Sequence, residues 1–173
     1  MSIPSMGGSG AKYLQLIMRA VYRERTLDYE YNYEGDYSLN FAKLQQISKQ
    51  LGEYKVKKNK VDFTDMISSY VDISETPYLD LLIVDEAQDL TPLQWTMVEK
   101  MAATATEVLI AGDDDQAIHR WTGVDIRRFV GSTDRTEVLN QSYRLPRSVW
   151  ELSMRISNRI PGRLEKEFFP KDE

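Results

Sequence analysis

Apolar positions recur every three or four residues through the first part of the chain and bunch into short unbroken runs in the second. Tyr13, Leu14, Ile17, Val21 and Tyr22 follow helical spacing and predict a helix from Ala11 to Arg25. Phe41, Leu44, Ile47 and Leu51 predict a second over Phe41–Leu51, and a third is expected from about Asp62 to Val71. Between the first two, Tyr29, Tyr31, Tyr33 and Tyr37 stand among acids and a glycine, and this segment is expected to be a loop. The small, apolar-poor residues 1–10 (MSIPSMGGSG) read as a flexible leader or joint.

The period changes after residue 75. Tyr78 to Val84 (YLDLLIV) is an almost continuous apolar run, the pattern of a strand covered on both faces. Thr91-Pro92 opens a helix to about Ala103, since threonine caps and proline suits the first turn. Glu107 to Ala111 reads as a second buried strand, Asp125–Val130 as a short helix and Thr136–Leu139 as a third strand. Pro146 begins a last helix with Val149, Leu152, Ile156 and Ile160 on one side. Strand and helix thus alternate over residues 78–160, the order of an α/β fold: a parallel sheet with flanking helices, preceded by a helical segment. The expected division is a leader at 1–10, a helical accessory segment at 11–75 and the α/β part at 76–173.

Composition narrows the class. The chain has 173 residues, 42% of them hydrophobic and 28% charged, enough for a packed core and unlike a disordered chain. With no cysteine, disulfides and thiolate metal sites are excluded. A net charge of −5 argues against a large phosphate-gripping surface, leaving Lys55, Lys57, Lys58 and Lys60 as the main basic cluster, read as a solvated loop. No apolar stretch approaches the roughly 20 residues that span a bilayer, and no basic region followed by an apolar run marks a signal peptide.

Candidate chemistry gathers where strands end, the place where ligands bind in such sheets. Asp85 and Glu86, in DEAQD, directly follow the first apolar run. One carboxylate there can hold Mg²⁺ and the other can orient and deprotonate a water, though acids at a helix start are also stabilising by themselves. Gly112-Asp113-Asp114-Asp115-Gln116 follows the second run. Three successive acids repel one another and call for a cation or a basic partner, while Gln116 can both donate and accept. Arg144, in NQSYRLP after the third run, can stabilise the charge that develops in phosphoryl transfer, or form a surface ion pair. Trp121 can stack on a base or fill a core. His119, the single histidine, is given no proton-transfer role.

DEAQD, GDDDQAIHRWTG and LNQSYRLP together resemble consecutive motifs II, III and IV of the superfamily 1 helicases related to UvrD, Rep and PcrA, over residues 79–150, about two-fifths of the chain. Val61-Asp62-Phe63-Thr64-Asp65-Met66 is similar to the segment those proteins carry before motif II. The resemblance implies a partial RecA-like domain of an ATP-dependent motor moving on single-stranded or partly duplex DNA, with 3′-to-5′ polarity, in the cytoplasm of a bacterium or of a phage's host. It implies that Asp85 coordinates Mg²⁺, Glu86 activates water, Gln116 contacts the γ-phosphate of ATP and Arg144 reaches that phosphate. Gln88 and Asp89 complete motif II at the nucleotide, and Trp121, with His119 and Arg120, contacts DNA.

The chain departs from the family pattern in three ways. The nearest sequence to a phosphate loop, Met6 to Lys12 (MGGSGAK), lacks the Gly-Lys-Ser/Thr ending, the second motor domain that the resemblance implies is expected to lie outside these residues, and His119 stands where the family often has tyrosine. The expectation is therefore a fragment with Gly7 to Gly10 as an artificial joint, inactive alone and with weak or no nucleotide affinity. Two other readings stay open: a Mg²⁺-dependent nuclease using Asp85, Glu86 and Asp113–Asp115 as a two-metal site, and a non-catalytic binding module derived from a helicase.

Overall fold

The computed structural model describes residues 9–34, 38–73, 75–117, 124, 126–133, 135–160 and 166–171. Four helices come first: α1 (Ser9–Tyr22), α2 (Leu27–Glu34), α3 (Phe41–Lys58) and α4 (Phe63–Asp72). Strand β1 (Leu79–Val84), helix α5 (Pro92–Ala102) and strand β2 (Ala105–Ile110) follow, then α6 (Ile126–Val130) and α7 (Arg147–Ser157). The arrangement is mixed α/β, with β1 and β2 parallel and α5 as the crossover that a parallel pair requires.

Local chemistry explains most boundaries. The Asn40 side chain accepts from the Lys43 amide at the start of α3, and Asn59 ends that helix in the left-handed region at φ 48°. Lys55, Lys57 and Lys58, expected in a solvated loop, instead form its last turn, where they suit the negative end of the helix dipole and carry α3 beyond the expected Leu51. Reciprocal capping boxes open α4 (Asp62 with Asp65) and α5 (Thr91 with Gln94, followed by Pro92).

Two cores form. Tyr13, Leu16 and Ile17 of α1 pack with Leu39 and with Leu44 of α3. Leu82 and Val84 of β1 pack with Ala87 and with Trp95 and Val98 of α5. Helices α1 and α4 both contact α5, and the Lys100 ammonium donates to the carbonyls of Val71 (2.5 Å) and Ile73 at the end of α4.

Four further expectations need correction. Helix α1 already includes Ser9 and Gly10, which were placed in the leader. The tyrosine-rich segment is helical over Leu27–Glu34, because the Glu30 carboxylate is buried among arginines of α1 and the following turn. No strand forms at 136–139; those residues are exposed, and the nearest pairing is the single parallel bridge between Gln141 and Phe169. Finally, among the described residues β1 and β2 are covered on one face and open on the other. Leu82 and Val84 are buried under α5, whereas Leu81, Ile83 and Leu109 on the other face are 44%, 64% and 56% exposed. The apolar face of α7 is likewise open at Val149, Leu152 and Ile156.

The α4 cap also sets an acid sensitivity. Burial disfavours charge on Asp62, but the hydrogen bond and charge of Lys55, with backbone donors, outweigh it and hold the carboxyl below its ordinary value. Burial likewise opposes charge on Lys55, and Asp62 and Asp65 outweigh it and hold the ammonium above its ordinary value. A depressed carboxyl stabilises the fold above its unfolded pKa of about 4 and loses that contribution as pH falls through the folded value. The raised lysine contributes up to its unfolded pKa of about 10.4 and loses this only above it. Asp62→Asn keeps the cap and is expected to flatten the fall in melting temperature between about pH 5 and pH 2. Scanning calorimetry of both proteins across that range checks it.

Candidate active site

The chain turns sharply where β1 ends. Glu86 adopts the left-handed conformation, φ 53° and ψ 37°, which costs a side-chain-bearing residue about 1–2 kcal/mol. Several bonds hold it there. The Glu86 amide donates to Asp85 Oδ1 (2.9 Å), and the Glu86 carbonyl accepts from the Asp89 amide (3.0 Å) in a 3₁₀ turn over Ala87–Asp89. The Ala87 amide donates to the Ala111 carbonyl (2.9 Å) and the Ala111 amide to the Val84 carbonyl (2.8 Å), fastening the ends of both strands together.

Gln88 links the two acidic loops. It is 1% exposed; its Nε2 donates to Glu86 Oε2 (2.7 Å) and its Oε1 accepts from the Asp113 amide (3.0 Å). Both ends of one amide are thus spent on joining DEAQD to GDDDQ, a role that the residue type permits but its position in the motif does not announce. Beyond Asp113 a second 3₁₀ turn spans Asp114–Gln116, capped by the Asp113 carboxylate accepting from the Asp115 amide (3.2 Å). Gln116 is exposed, and its Nε2 donates to Asp113 Oδ2 (3.2 Å).

The cation that three adjacent acids call for is Lys166. Its Nζ lies 2.7 Å from Asp113 Oδ1, 2.5 Å from Asp114 Oδ1 and 3.4 Å from Asp115 Oδ2. Burial opposes the charge, but the hydrogen bonds and charges of Asp113 and Asp114 outweigh it and raise the lysine above its ordinary pKa, so it stays cationic at neutral pH. The run of acids signalled the need for such a partner; nothing in the local sequence singled out a residue more than 50 positions away.

Asp85 and Glu86 therefore stand at the end of β1 and Gln116 just past β2, with Glu86, Gln88, Asp113 and Gln116 joined by hydrogen bonds. Asp89 is half-buried, and its Oδ1 has no hydrogen-bond partner among the described residues. Arg144 is exposed in the segment before α7, where its amide donates to the Ser142 hydroxyl (3.2 Å); no described contact joins its guanidinium to the acids. His119, Arg120 and Trp121 lie outside the described residues.

Gly112 leaves no room for a side chain at the junction. A Cβ there would come within 2.5 Å of Gln88 Oε1 and 2.9 Å of Phe129 Cζ. Gly112→Ala is expected to displace Gln88 or Phe129 and cost about 1–3 kcal/mol. Urea unfolding of the variant measures this, and an unchanged midpoint would contradict the packing.

The model of the UvrD/REP helicase N-terminal domain matches residues 13–136. The chain belongs to that family. Among curated relatives, this UvrD-family chain is 24% identical over 130 residues to the ATP-dependent DNA helicase PcrA of Leuconostoc citreum, covering 67% of the chain and 17% of the relative. It is 31% identical over 93 residues to DNA helicase II of Escherichia coli K12, covering 51% and 13%. To the ATP-dependent DNA helicase srs2 of Schizosaccharomyces pombe it is 25% identical over 120 residues, covering 64% and 14%. The chain thus spans less than a fifth of each relative's length. No helix of the UvrD-family segment, among the described residues, is long and apolar enough to cross a membrane.

Proposed function

We infer that this chain is the metal-holding and water-activating part of an ATP-driven DNA helicase motor. The observation that carries the reading is the Glu86–Gln88–Asp113–Gln116 chain of hydrogen bonds at the ends of two parallel strands. Asp85 is exposed, with one oxygen engaged by a backbone amide, which suits a carboxylate offering its other oxygen to Mg²⁺. That ion would neutralise charge on the phosphates of ATP during transfer. Glu86 is the base that takes a proton from the attacking water, Gln116 answers the γ-phosphate, and Arg144, with motif II residue Asp89, completes the nucleotide side, while Gln88, buried behind Glu86, serves the nucleotide only by holding that carboxylate in place. His119, Arg120 and Trp121 are assigned to DNA, single-stranded or partly duplex. The phosphate cradle and a second motor domain come from outside this sequence, so the segment by itself binds nucleotide weakly and does not turn it over. The setting is the cytoplasm, and the direction of travel 3′ to 5′.

The nuclease alternative needs Asp113–Asp115 as cation ligands, and the Lys166 ammonium already lies against all three carboxylates. The deciding experiment measures ATP hydrolysis by the full-length protein with Mg²⁺, with and without single-stranded DNA, and probes the same DNA for cleavage without ATP. DNA-stimulated hydrolysis is expected. Cleavage without ATP would favour the nuclease. A stable DNA or protein complex with no turnover would favour a binding module.

A further inference from the structure

The segment 166–171 touches both loops that carry candidate chemistry, and it does so through many bonds. At one end Lys166 grips Asp113, Asp114 and Asp115. At the other, the Phe169 amide donates to the Asn140 carbonyl (2.7 Å) and the Ser142 amide to the Phe169 carbonyl (2.9 Å). Gln141 Nε2 donates to the Pro170 carbonyl (2.7 Å), the Lys171 amide to the Leu145 carbonyl (2.8 Å) and the Trp150 indole N–H to the Phe168 carbonyl (2.8 Å). Ser142 is buried, and its hydroxyl in turn accepts from the Arg144 and Leu145 amides.

We propose that residues 166–171 form a strap that couples the 112–116 loop to the 140–147 segment, with Lys166 as the positioning residue at its loop end. The physical basis is continuity. Asp113 receives Lys166 on Oδ1 and Gln116 on Oδ2, while its amide is held by Gln88. Removing the Lys166 ammonium takes away a positive charge that lies against all three carboxylates, so their mutual repulsion rises and the loop loosens, and the strap loses its anchor at that end. Free energy exchanged between two sites acts in both directions, so loosening the strap at its far end must loosen the acid loop by the same coupling. The coupling does not depend on the helicase reading; if that reading holds, the strap sets the spacing between Gln116 and Arg144.

Residue-resolved amide hydrogen exchange on the whole chain tests it, with the Leu44 amide in α3, bonded to the Asn40 carbonyl, as internal reference. Lys166→Met is expected to speed exchange about tenfold or more at Asp113, Asp115 and Gln116 and also at Ser142, Phe169 and Lys171, with Leu44 unchanged. Lys166→Arg should restore most of the protection. Trp150→Phe, which removes the indole donor to the strap and shrinks the ring, should speed exchange at Gln116 as well as at Phe169. Faster exchange confined to residues 113–116 in Lys166→Met would overturn the proposal, as would a rise of equal size at Leu44. Should Lys166→Met not fold, unchanged Gln116 exchange in Trp150→Phe overturns it alone.

Discussion

Glu86→Gln is expected to slow ATP turnover by the full-length protein about 10²–10⁴-fold, the contribution typical of a positioned general base. The substitution keeps shape and removes the proton acceptor. Gln88 is already held on its other side by the Asp113 amide (3.0 Å), so the neutral side chain can remain against it. The left-handed backbone at Glu86 is held by the Asp85 carboxylate and the Ala87–Ala111 bond, neither of which involves the substituted group. Nucleotide affinity should therefore change little while hydrolysis collapses. Steady-state ATPase rates, paired with equilibrium binding of ATP in the presence of Mg²⁺, separate the two effects. Undiminished turnover in the variant would remove Glu86 from the chemistry. A parallel loss of binding and turnover would assign it a structural role.

Glu30→Ala should be strongly destabilising. The carboxylate is 0% exposed. Arg23 Nη1 donates to Oε1 (2.6 Å), Arg25 Nη1 lies 3.4 Å from Oε2, and Arg19 Nε sits 3.0 Å from Oε1 as a charge contact without hydrogen-bond alignment. The Arg25 guanidinium also lies over the rings of Tyr29 and Tyr33, which stack on each other. Removing this carboxylate leaves three guanidinium groups close together and partly shielded from water without the anion they share. Breaking a buried pair of this kind costs about 3–5 kcal/mol. For a domain of this size that is a fall of roughly 6–20 °C in the melting midpoint. Glu30→Gln, which keeps the volume and one acceptor, should fall between. Thermal unfolding followed by circular dichroism tests both; a shift of only one or two degrees for Glu30→Ala would mean the arginines are satisfied by solvent.

The same two regions mark where reading the chain succeeds and where it stops. Helices α3, α4 and α5 were legible because their signals are local: apolar residues at helical spacing, and the Thr91-Pro92 start of α5. The turns after β1 and β2 were legible because an apolar run that ends abruptly in acids can hardly continue as buried strand. Helix α2 was not, since its alternating tyrosines and acids carry little helical pattern. It is ordered by Glu30 reaching arginines of α1 and the following turn.

What the amino-acid order determined alone was the element sequence of the parallel pair, the positions of Asp85, Glu86 and Gln116 at its strand ends, and the requirement for a cation beside three aspartates. All of these follow from interactions spanning a few residues. Only the tertiary structure decided that Lys166 is that cation, that Gln88 spans the two loops, and that Leu81, Ile83 and Leu109 stay open on one face of the sheet. Those outcomes depend on which distant segments meet, and a hydrophobic pattern states that a face needs cover without stating what covers it.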